Sequence, residues 1–366
     1  MKSFTEVPWW KPESAGTEID RVTDVIRRDY LNEGDVTTEF EEKIAKFCGT
    51  KYCIAVTSGT SALYLSLMAL GIGFGDEVIV PDMTFVATAN AVTMTGAKVV
   101  LIDVDRDTLT MCPVALAEAI SANTKAIIPV HVSGRPGTLL EVMEIAKNKK
   151  IPVIEDAAEA LGSKFEGSYL GSFGITGIFS LSPFKTISSG QGGLIVTNDK
   201  EVAIRLAELK DQGRPVRGTG GDDSHPSIGF NFKYTNLQAA VGLAQLEEID
   251  FRLKKQRHIH EFYRKSLDNL TDINLLPFDT EKGEVPLWSD AIASDRNKLV
   301  EYLEEKKIFT RRFWHPIHTH KSYLSESNDF PVSSELACQA MWLPSAYQLS
   351  DEQLNYVSKE IVKFYG

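Results

Sequence analysis

Short apolar runs alternate with helical patterns from Tyr52 to Gly162, and this alternation limits the possible folds more than any other feature of the chain. Each run is continuously apolar, as strands are when helices cover both faces of a sheet. The runs are CIAVT, DEVIVP, KVVLIDVD, KAIIPVHV and IPVIED. Strands joined by helices in this way predict an α/β fold, in which a mainly parallel, mixed sheet lies between layers of helices.

The segments on either side of this region complete the predicted architecture. Helical patterns precede it over Glu18–Asp29 and Thr38–Phe47, and a long one follows from Thr235 to about Leu267. The remainder mixes strand-like and helical patterns over Leu275–Ala293, Asp295–Lys306, Ile308–Trp314 and Asp351–Phe364. We therefore predict a large domain with an N-terminal segment over residues 1–250, and a small α+β domain over residues 251–366.

The composition disfavours several classes of function. The formal net charge of -11 argues against broad binding to nucleic acids or anionic membranes. The N-terminal stretch lacks the apolar core of a signal peptide, and no apolar run is long enough to span a bilayer. The four cysteines have no metal-ligand spacing; they are Cys48, Cys53, Cys112 and Cys338. We expect a reduced, cytoplasmic protein without a metal site.

Ser58-Gly59-Thr60-Ser61 lies between a predicted strand and a predicted helix. The free N–H groups at a helix N-terminus attract phosphate, and Gly59 allows an anion to approach the backbone closely. The same residues would also serve as an ordinary helix cap, so both interpretations stay open. The lysine of a P-loop is absent, which argues against a nucleoside-triphosphatase.

Two further signals follow strand ends, where ligands bind in open α/β sheets. Asp156 ends the run VIED. Its carboxylate would bind a protonated ring nitrogen, cap a helix or form an ion pair. Glu159 lies three residues further on and would reach the same site. Phe85 follows the run that ends at Pro81, and its ring would stack on a flat ligand or pack in the core.

Lys185 lies in FSLSPFKTISSGQGGLIVTND, which reads as a strand, a glycine-rich loop and a second strand. A partly desolvated lysine can lose its proton and attack a carbonyl, although a solvated structural lysine is the commoner case. The hydroxyl of Ser180 would serve a nearby anion. A phosphate cradle, an aromatic plate, a carboxylate and a lysine nucleophile are together what pyridoxal 5′-phosphate needs.

The chain resembles the fold-type-I pyridoxal-phosphate enzymes, and within them the DegT/DnrJ/EryC1/StrS sugar aminotransferases. The resemblance covers essentially the whole chain and includes SGTSALYLSLMALGIGFGDEVIVPDMTFVATANAV, VIEDAAEALGS, IGFNFKYTNLQAAVGLAQLE and TRRFWHPIHTHKSY. The block Phe-Ser-x-x-x-x-Lys-Thr-Ile, followed by Gly-x-Gly-Gly, is similar to that of perosamine-synthase-type 4-aminotransferases. One stretch, Glu284–Ala293, differs from the His-rich strand often found in these relatives.

The resemblance implies a role for each candidate residue. Lys185 would bind the cofactor covalently and later shuttle protons, Asp156 would bind the pyridine nitrogen, and Phe85 would stack on the ring. The phosphate would lie against Gly59, Thr60 and Ser180. Glu159 would lie near the ring hydroxyl, where many relatives carry Gln.

Three more residues receive roles from the resemblance. Asn231 would reach the cofactor phosphate of the neighbouring subunit, so that a homodimer shares its active sites. His318 would lie near the substrate sugar. Arg214, with Arg217 and His225, would contact the diphosphate of a nucleotide sugar or form a solvated loop.

The implied reaction transfers an amino group from an amino acid, L-glutamate, to a nucleotide-linked 4-keto-6-deoxyhexose. Its product would enter a surface glycan such as lipopolysaccharide. The alternatives are a 3-keto-sugar or cyclitol aminotransferase, a pyridoxal-phosphate-dependent sugar dehydratase, and a non-catalytic regulator on the same scaffold. Lys185 favours transamination, because the dehydratase branch carries histidine at this position.

Overall fold

The computed structural model describes residues 6–215, 223–324 and 330–366. Arg217 and the middle of the glycine-rich loop around it lie outside the described residues. The helices are α1 (Glu18–Arg27), α2 (Asp35–Cys48), α3 (Gly59–Ala69), α4 (Ala87–Met94), α5 (Pro113–Ala119), α6 (Leu139–Lys149), α7 (Lys200–Lys210), α8 (Asn236–Glu247), α9 (Ile249–Leu267), α10 (Arg296–Glu305), α11 (Pro331–Leu336) and α12 (Asp351–Tyr365). The strands are β1 (Tyr52–Val56), β2 (Glu77–Pro81), β3 (Lys98–Ile102), β4 (Thr124–Ile127), β5 (Ile154–Asp156), β6 (Lys164–Phe165), β7 (Ser168–Tyr169), β8 (Thr176–Ser180), β9 (Gly193–Thr197), β10 (Ile273–Leu275), β11 (Ser289–Ala293), β12 (Arg311–Arg312) and β13 (Ala340–Leu343).

Seven strands form the central sheet in the order β1-β9-β8-β5-β4-β2-β3. The parallel bridges Ile127–Val153 and Val130–Asp156 join its four-stranded part to its three-stranded part. Every strand pair is parallel except the two that involve β9, which runs antiparallel to β1 and β8. The predicted α/β fold with a mainly parallel, mixed sheet is confirmed.

Helices cover both faces of this sheet, as the continuous apolar runs predict. In β8, Ile178 packs in a core with residues of α3 and α7, such as Leu65 and Leu206. The next residue, Phe179, points to the opposite face and packs with residues of α2 and α8, including Phe40. Burying each such side chain contributes about 1.5–3 kcal/mol, so both faces hold the strand in register.

The C-terminal part contains a second, antiparallel sheet in the order β10-β11-β13-β12. It shares a core with α9, α10 and α12, and Val7 joins that core through a parallel bridge to Ile308. Helix α9 contributes to two cores. Leu253 packs in the core between the central sheet and helices α2 and α8, and Tyr263 packs in the core of the C-terminal sheet. The domain boundary near residue 250 stays a prediction, and we propose that it falls inside α9. No helix in the described ranges is long and apolar enough to cross a bilayer.

Two local predictions were wrong, and one strand was not predicted at all. The pattern from Thr235 to Leu267 forms two helices with a break at Glu248, because both halves keep the helical period and the pattern does not mark the break. Only the two ends of Leu275–Ala293 form strands, since two prolines and a glycine interrupt the middle. Strand β13 was not expected, because a short apolar run does not distinguish a strand from a buried helical segment.

Replacing Gly177 by alanine should destabilise the fold by about 1–3 kcal/mol or more. A Cβ atom there would lie 2.0 Å from the carbonyl oxygen of Gly171, which is backbone and has no rotamer to change. Gly73→Ala is the matched control, because its Cβ would meet its nearest atom, the Thr95 oxygen, at 3.6 Å. Denaturant unfolding of both variants measures the difference. Equal stability of the two variants would contradict the packing described for β8.

Candidate active site

A cavity of about 330 Å³ opens at the carboxyl edge of the central sheet. Much of its lining comes from residues that end or follow β1, β2, β4, β5 and β8, which are parallel and therefore end at the same edge, and the C-terminal part adds further residues. Seven of the residues predicted from the sequence line this one cavity: Gly59, Thr60, Phe85, Asp156, Glu159, Ser180 and Lys185.

The N-terminus of α3 forms one wall of the cavity. Ser58 is the cap of this helix, since its Oγ accepts a hydrogen bond from the Ser61 N–H at 3.1 Å. The N–H groups of Gly59 and Thr60 have no acceptor in the described part of the chain, and they stand at the positive end of the helix. A Cβ on Gly59 would lie 3.2 Å from the Cβ of Ser180, so the two elements approach closely. The segment can therefore both cap the helix and receive a phosphate.

Asp156 is buried at the end of β5, yet its carboxylate forms part of the cavity wall. Its Oδ2 accepts a hydrogen bond from the Thr88 hydroxyl at 2.8 Å, and its Oδ1 accepts one from the Ala158 N–H at 3.2 Å. Burial raises the pKa of Asp156 above its ordinary value, although the Thr88 hydrogen bond opposes the shift. A cationic group in the cavity would favour the carboxylate, and a protonated ring nitrogen is such a group.

Lys185 is held by Glu159. The Lys185 Nζ donates to Glu159 Oε1 at 3.0 Å, and the other oxygen of this carboxylate accepts the Ser133 N–H at 2.9 Å. Both side chains are largely buried, with 14% and 6% of the lysine and glutamate side chains exposed. The Lys185 Nζ also lies 5.1 Å from the ring centroid of Trp288. The lysine is therefore oriented and partly desolvated, as a nucleophile requires.

Phe85 and Ser180 complete the part of the site that the sequence predicted. The Phe85 side chain is 53% exposed, which separates it from core packing and leaves its ring available for stacking. The Ser180 Oγ accepts a weak hydrogen bond from the Ser182 N–H at 3.4 Å, and its own O–H remains available to a ligand. The free helix N–H groups, the exposed ring, the buried carboxylate and the oriented lysine fit pyridoxal 5′-phosphate.

Four predicted residues of the described ranges do not line this cavity: Asn231, Arg214, His225 and His318. Asn231 is exposed and forms an antiparallel bridge with Asp211. Arg214 forms an ion pair with Asp223 at 2.7 Å. His318 donates its backbone N–H to Asp82 at 2.8 Å, and its Nδ1 lies 2.6 Å from the same carboxylate. Their predicted roles stay predictions.

Sequence reasoning missed four residues of the site: Thr88, Trp288, Arg311 and Trp314. Thr88 lies three residues after Phe85, and its N–H donates to the Phe85 carbonyl at 3.2 Å, so its closeness in sequence to a predicted residue was a usable signal. Trp288 lies in the stretch that differs from the relatives. Arg311 and Trp314 lie in TRRFWHPIHTHKSY, where only His318 received a role.

The sequence model of the DegT/DnrJ/EryC1/StrS aminotransferase family matches residues 12–362. The chain is 36% identical to GDP-perosamine synthase of Escherichia coli O157:H7, over 98% of this chain and 99% of that protein. It is 34% identical to GDP-perosamine synthase of Caulobacter vibrioides, over 98% of both chains. Among solved structures, DesV of S. venezuelae superimposes with a TM-score of 0.93 at 29% identity, over 99% of both chains.

Replacing Asp156 by asparagine should stabilise the cofactor-free protein, and the gain should grow as the pH rises. The unfolded chain ionises this carboxyl at a pH of about 4, whereas burial raises its pKa in the folded state. Wild-type stability therefore falls as the pH rises through the interval between these two pKa values, and asparagine does not titrate. Thermal unfolding at several pH values between 4 and 8 measures the effect. The exposed Asp107→Asn is the control, and an advantage of Asp156→Asn that shrinks with rising pH would contradict the argument.

Proposed function

The chain belongs to the DegT/DnrJ/EryC1/StrS aminotransferase family, and we propose from this premise that it aminates a GDP-linked 4-keto-6-deoxyhexose with L-glutamate as donor. It is a pyridoxal-phosphate-dependent aminotransferase. One observation carries the reaction class: Lys185, oriented by Glu159, lines the same cavity as the buried Asp156. The nucleotide sugar follows from the GDP-perosamine synthases, which match nearly the full length of the chain.

Different residues of the cavity would bind different parts of the cofactor. Its phosphate would lie against Gly59, Thr60 and Ser180, its ring against Phe85, and its ring nitrogen against Asp156. When bound, pyridoxal 5′-phosphate supplies an aldehyde that takes up the amino group and a ring that accepts electrons from the bond being broken. Asp156 would keep the ring nitrogen protonated and so make the ring a better electron acceptor.

Lys185 would have two successive tasks. Its Nζ would first bind the cofactor and, once displaced by the donor, would take the proton from the donor's α-carbon as a general base. In the second half of the reaction these steps run in reverse, and the same Nζ would deliver a proton to the sugar carbon that receives the amino group. Glu159 would hold this nitrogen in place through its Oε1, while the Ser133 N–H fixes its other oxygen.

We also propose that the enzyme works as a homodimer with shared sites. Asn231 is exposed and lies away from the cavity of its own chain, as expected for a residue that acts on the neighbouring subunit. Arg214 would meet the diphosphate of the nucleotide sugar. The reaction would take place in the cytoplasm, consistent with four free cysteines, and its product would be used for a surface glycan such as lipopolysaccharide.

Incubation with ¹⁵N-labelled L-glutamate and a GDP-linked 4-keto-6-deoxyhexose should give a GDP-amino sugar that carries the label. Mass spectrometry and NMR would identify the product and the aminated carbon. Lys185→Ala should reduce turnover by several orders of magnitude, because it removes both the nucleophile and the proton carrier. Lys147→Ala, which changes an exposed lysine on α6, should match the wild type.

The alternatives give different products. A sugar that loses a hydroxyl without gaining nitrogen would show a dehydratase. Amination at another carbon, or only of sugars linked to a different nucleotide, would overturn the proposed acceptor and leave the reaction class in place. Failure to bind the cofactor would favour a non-catalytic protein on this scaffold.

A further inference from the structure

Ser133 has a backbone conformation that few residues other than glycine adopt. It lies in the short turn that follows β4, with φ at 52° and ψ at 19°, which is the left-handed region. The residue is fully buried. A side chain in this conformation stores strain, and such residues persist only where their surroundings hold them. The contacts of Ser133 therefore show what keeps the turn in this state.

Hydrogen bonds join Ser133 to the C-terminal part of the chain. Its hydroxyl donates to Asp290 Oδ1 at 2.7 Å and accepts from the Trp342 Nε1–H at 3.3 Å. Its carbonyl oxygen accepts from the Leu287 N–H at 2.8 Å. Asp290 lies on β11 and Trp342 on β13. The C-terminal sheet thus fixes both the side chain and the carbonyl group of Ser133.

A further hydrogen bond joins Ser133 to the candidate active site. Its backbone N–H donates to Glu159 Oε2 at 2.9 Å, and Glu159 Oε1 accepts from the Lys185 Nζ at 3.0 Å. The angle φ sets the direction of this N–H relative to the rest of the residue. Because the side chain and the carbonyl are fixed, a serine that left the left-handed region would turn its N–H away from Glu159.

The hydroxyl explains why serine stands at a position that suits glycine. Glycine would adopt this φ without strain, but it would leave Asp290 Oδ1 without this donor. Asp290 is buried, and its other oxygen pairs with Arg135 at 2.5 Å. A buried carboxylate oxygen that loses its donor is costly. The strained backbone of Ser133 therefore comes with a contact that only a side chain can make.

We propose that Ser133 is a positioning residue for Lys185, kept in its left-handed conformation by Asp290 so that its N–H holds Glu159 against the lysine nitrogen. This inference rests on the proposed function, since it assumes the proposed role of Lys185. Neither Ser133 nor Asp290 lines the cavity, so both act through Glu159. A carboxylate beside a nitrogen favours its protonated form. Loss of the arrangement should therefore let the nitrogen release its proton at lower pH.

The test is a spectroscopic pH titration of the holoenzyme without donor or sugar. The absorbance of the bound cofactor reports the proton on the nitrogen that joins it to Lys185. In Ser133→Ala the midpoint should fall by about 0.5–1 pH unit, or about 3- to 10-fold in proton affinity, because Glu159 is held less firmly. In the described chain, the other charged side chains that line the cavity are Asp156, Glu159 and Arg311, and the variant keeps all of them.

Ser133→Gly separates positioning from stability. Glycine relieves the left-handed strain and alanine keeps it, so the glycine variant should unfold at the higher denaturant concentration of the two. Both variants lack the hydroxyl, and glycine adds backbone freedom. The glycine variant should therefore show at least as large a fall in the titration midpoint. A merely structural role would instead make the midpoint follow the order of stability.

Ser333→Ala is the matched control. Ser333 is also a buried serine of the C-terminal part, and its hydroxyl donates at 2.6 Å to Asp103, a buried carboxylate that follows β3 of the central sheet. Neither residue lines the cavity. The variant loses a comparable contact without touching Glu159, so it should lose stability and titrate like the wild type.

Single-turnover kinetics with α-deuterated L-glutamate measure the same effect during the reaction. In Ser133→Ala the rate constant of α-proton transfer should fall by about 10-fold, because the accepting nitrogen is less well oriented. The donor concentration that gives half of the maximal rate should change by less than about twofold, since Ser133 lies outside the cavity.

Three results would overturn the proposal. An unchanged midpoint and unchanged proton transfer in both Ser133 variants would show that the residue is only structural. An equal shift in Ser333→Ala would assign the effect to general loosening of the C-terminal part. A midpoint that rises would show that Ser133 does not keep Glu159 at the nitrogen. A wild type that binds its cofactor and transfers no amino group would instead overturn the proposed function, and the titration would still decide this inference.

Discussion

The ion pair between Lys185 and Glu159 is the contact on which the rest of the site depends. Glu159 is itself fixed by the Ser133 N–H, and the Ser133 hydroxyl donates to Asp290 Oδ1 at 2.7 Å. Asp290 lies on β11 of the C-terminal sheet and forms a buried ion pair with Arg135 at 2.5 Å. Buried charges are tolerated only when they are paired in this way. The orientation of the reactive lysine therefore depends on the packing of the C-terminal sheet against the central one.

Aromatic packing surrounds this polar network and sets its environment. Trp288 lies 4.7 Å from Trp342 and 5.6 Å from Trp9, so residues from the N-terminal segment and the C-terminal sheet meet beside the cavity. Water is displaced from this wall, and charge interactions are stronger in a medium of lower dielectric constant. Trp288 contacts Lys185, whereas Trp9 and Trp342 contact Arg311, so neighbouring rings of one cluster stabilise the two cations beside the cavity.

The sequence predicts what depends on local pattern. Continuous apolar runs identify the strands of the central sheet, and Asp156, Ser180 and Lys185 were found because ligands gather beyond strand ends. The pairing of Lys185 with Glu159 was not predicted, because it depends on how two loops fold beside each other. Arg311 and Trp288 come from elements more distant in the chain, and their positions follow from tertiary packing that no local period records. The sequence alone also left more than one role open for Asp156 and for Phe85. Weighing those roles requires knowing that Asp156 is buried and that Phe85 is exposed, which only the structure shows.

The central claim is that Lys185 is the residue to which the cofactor becomes attached. Reduction of the holoenzyme with borohydride, followed by proteolysis and mass spectrometry, tests it most directly, because reduction makes the bond between lysine and cofactor permanent. The account predicts a single pyridoxyl group on the peptide that contains Lys185. The same group on a different lysine, or no modified peptide from a protein that has bound its cofactor, would contradict it.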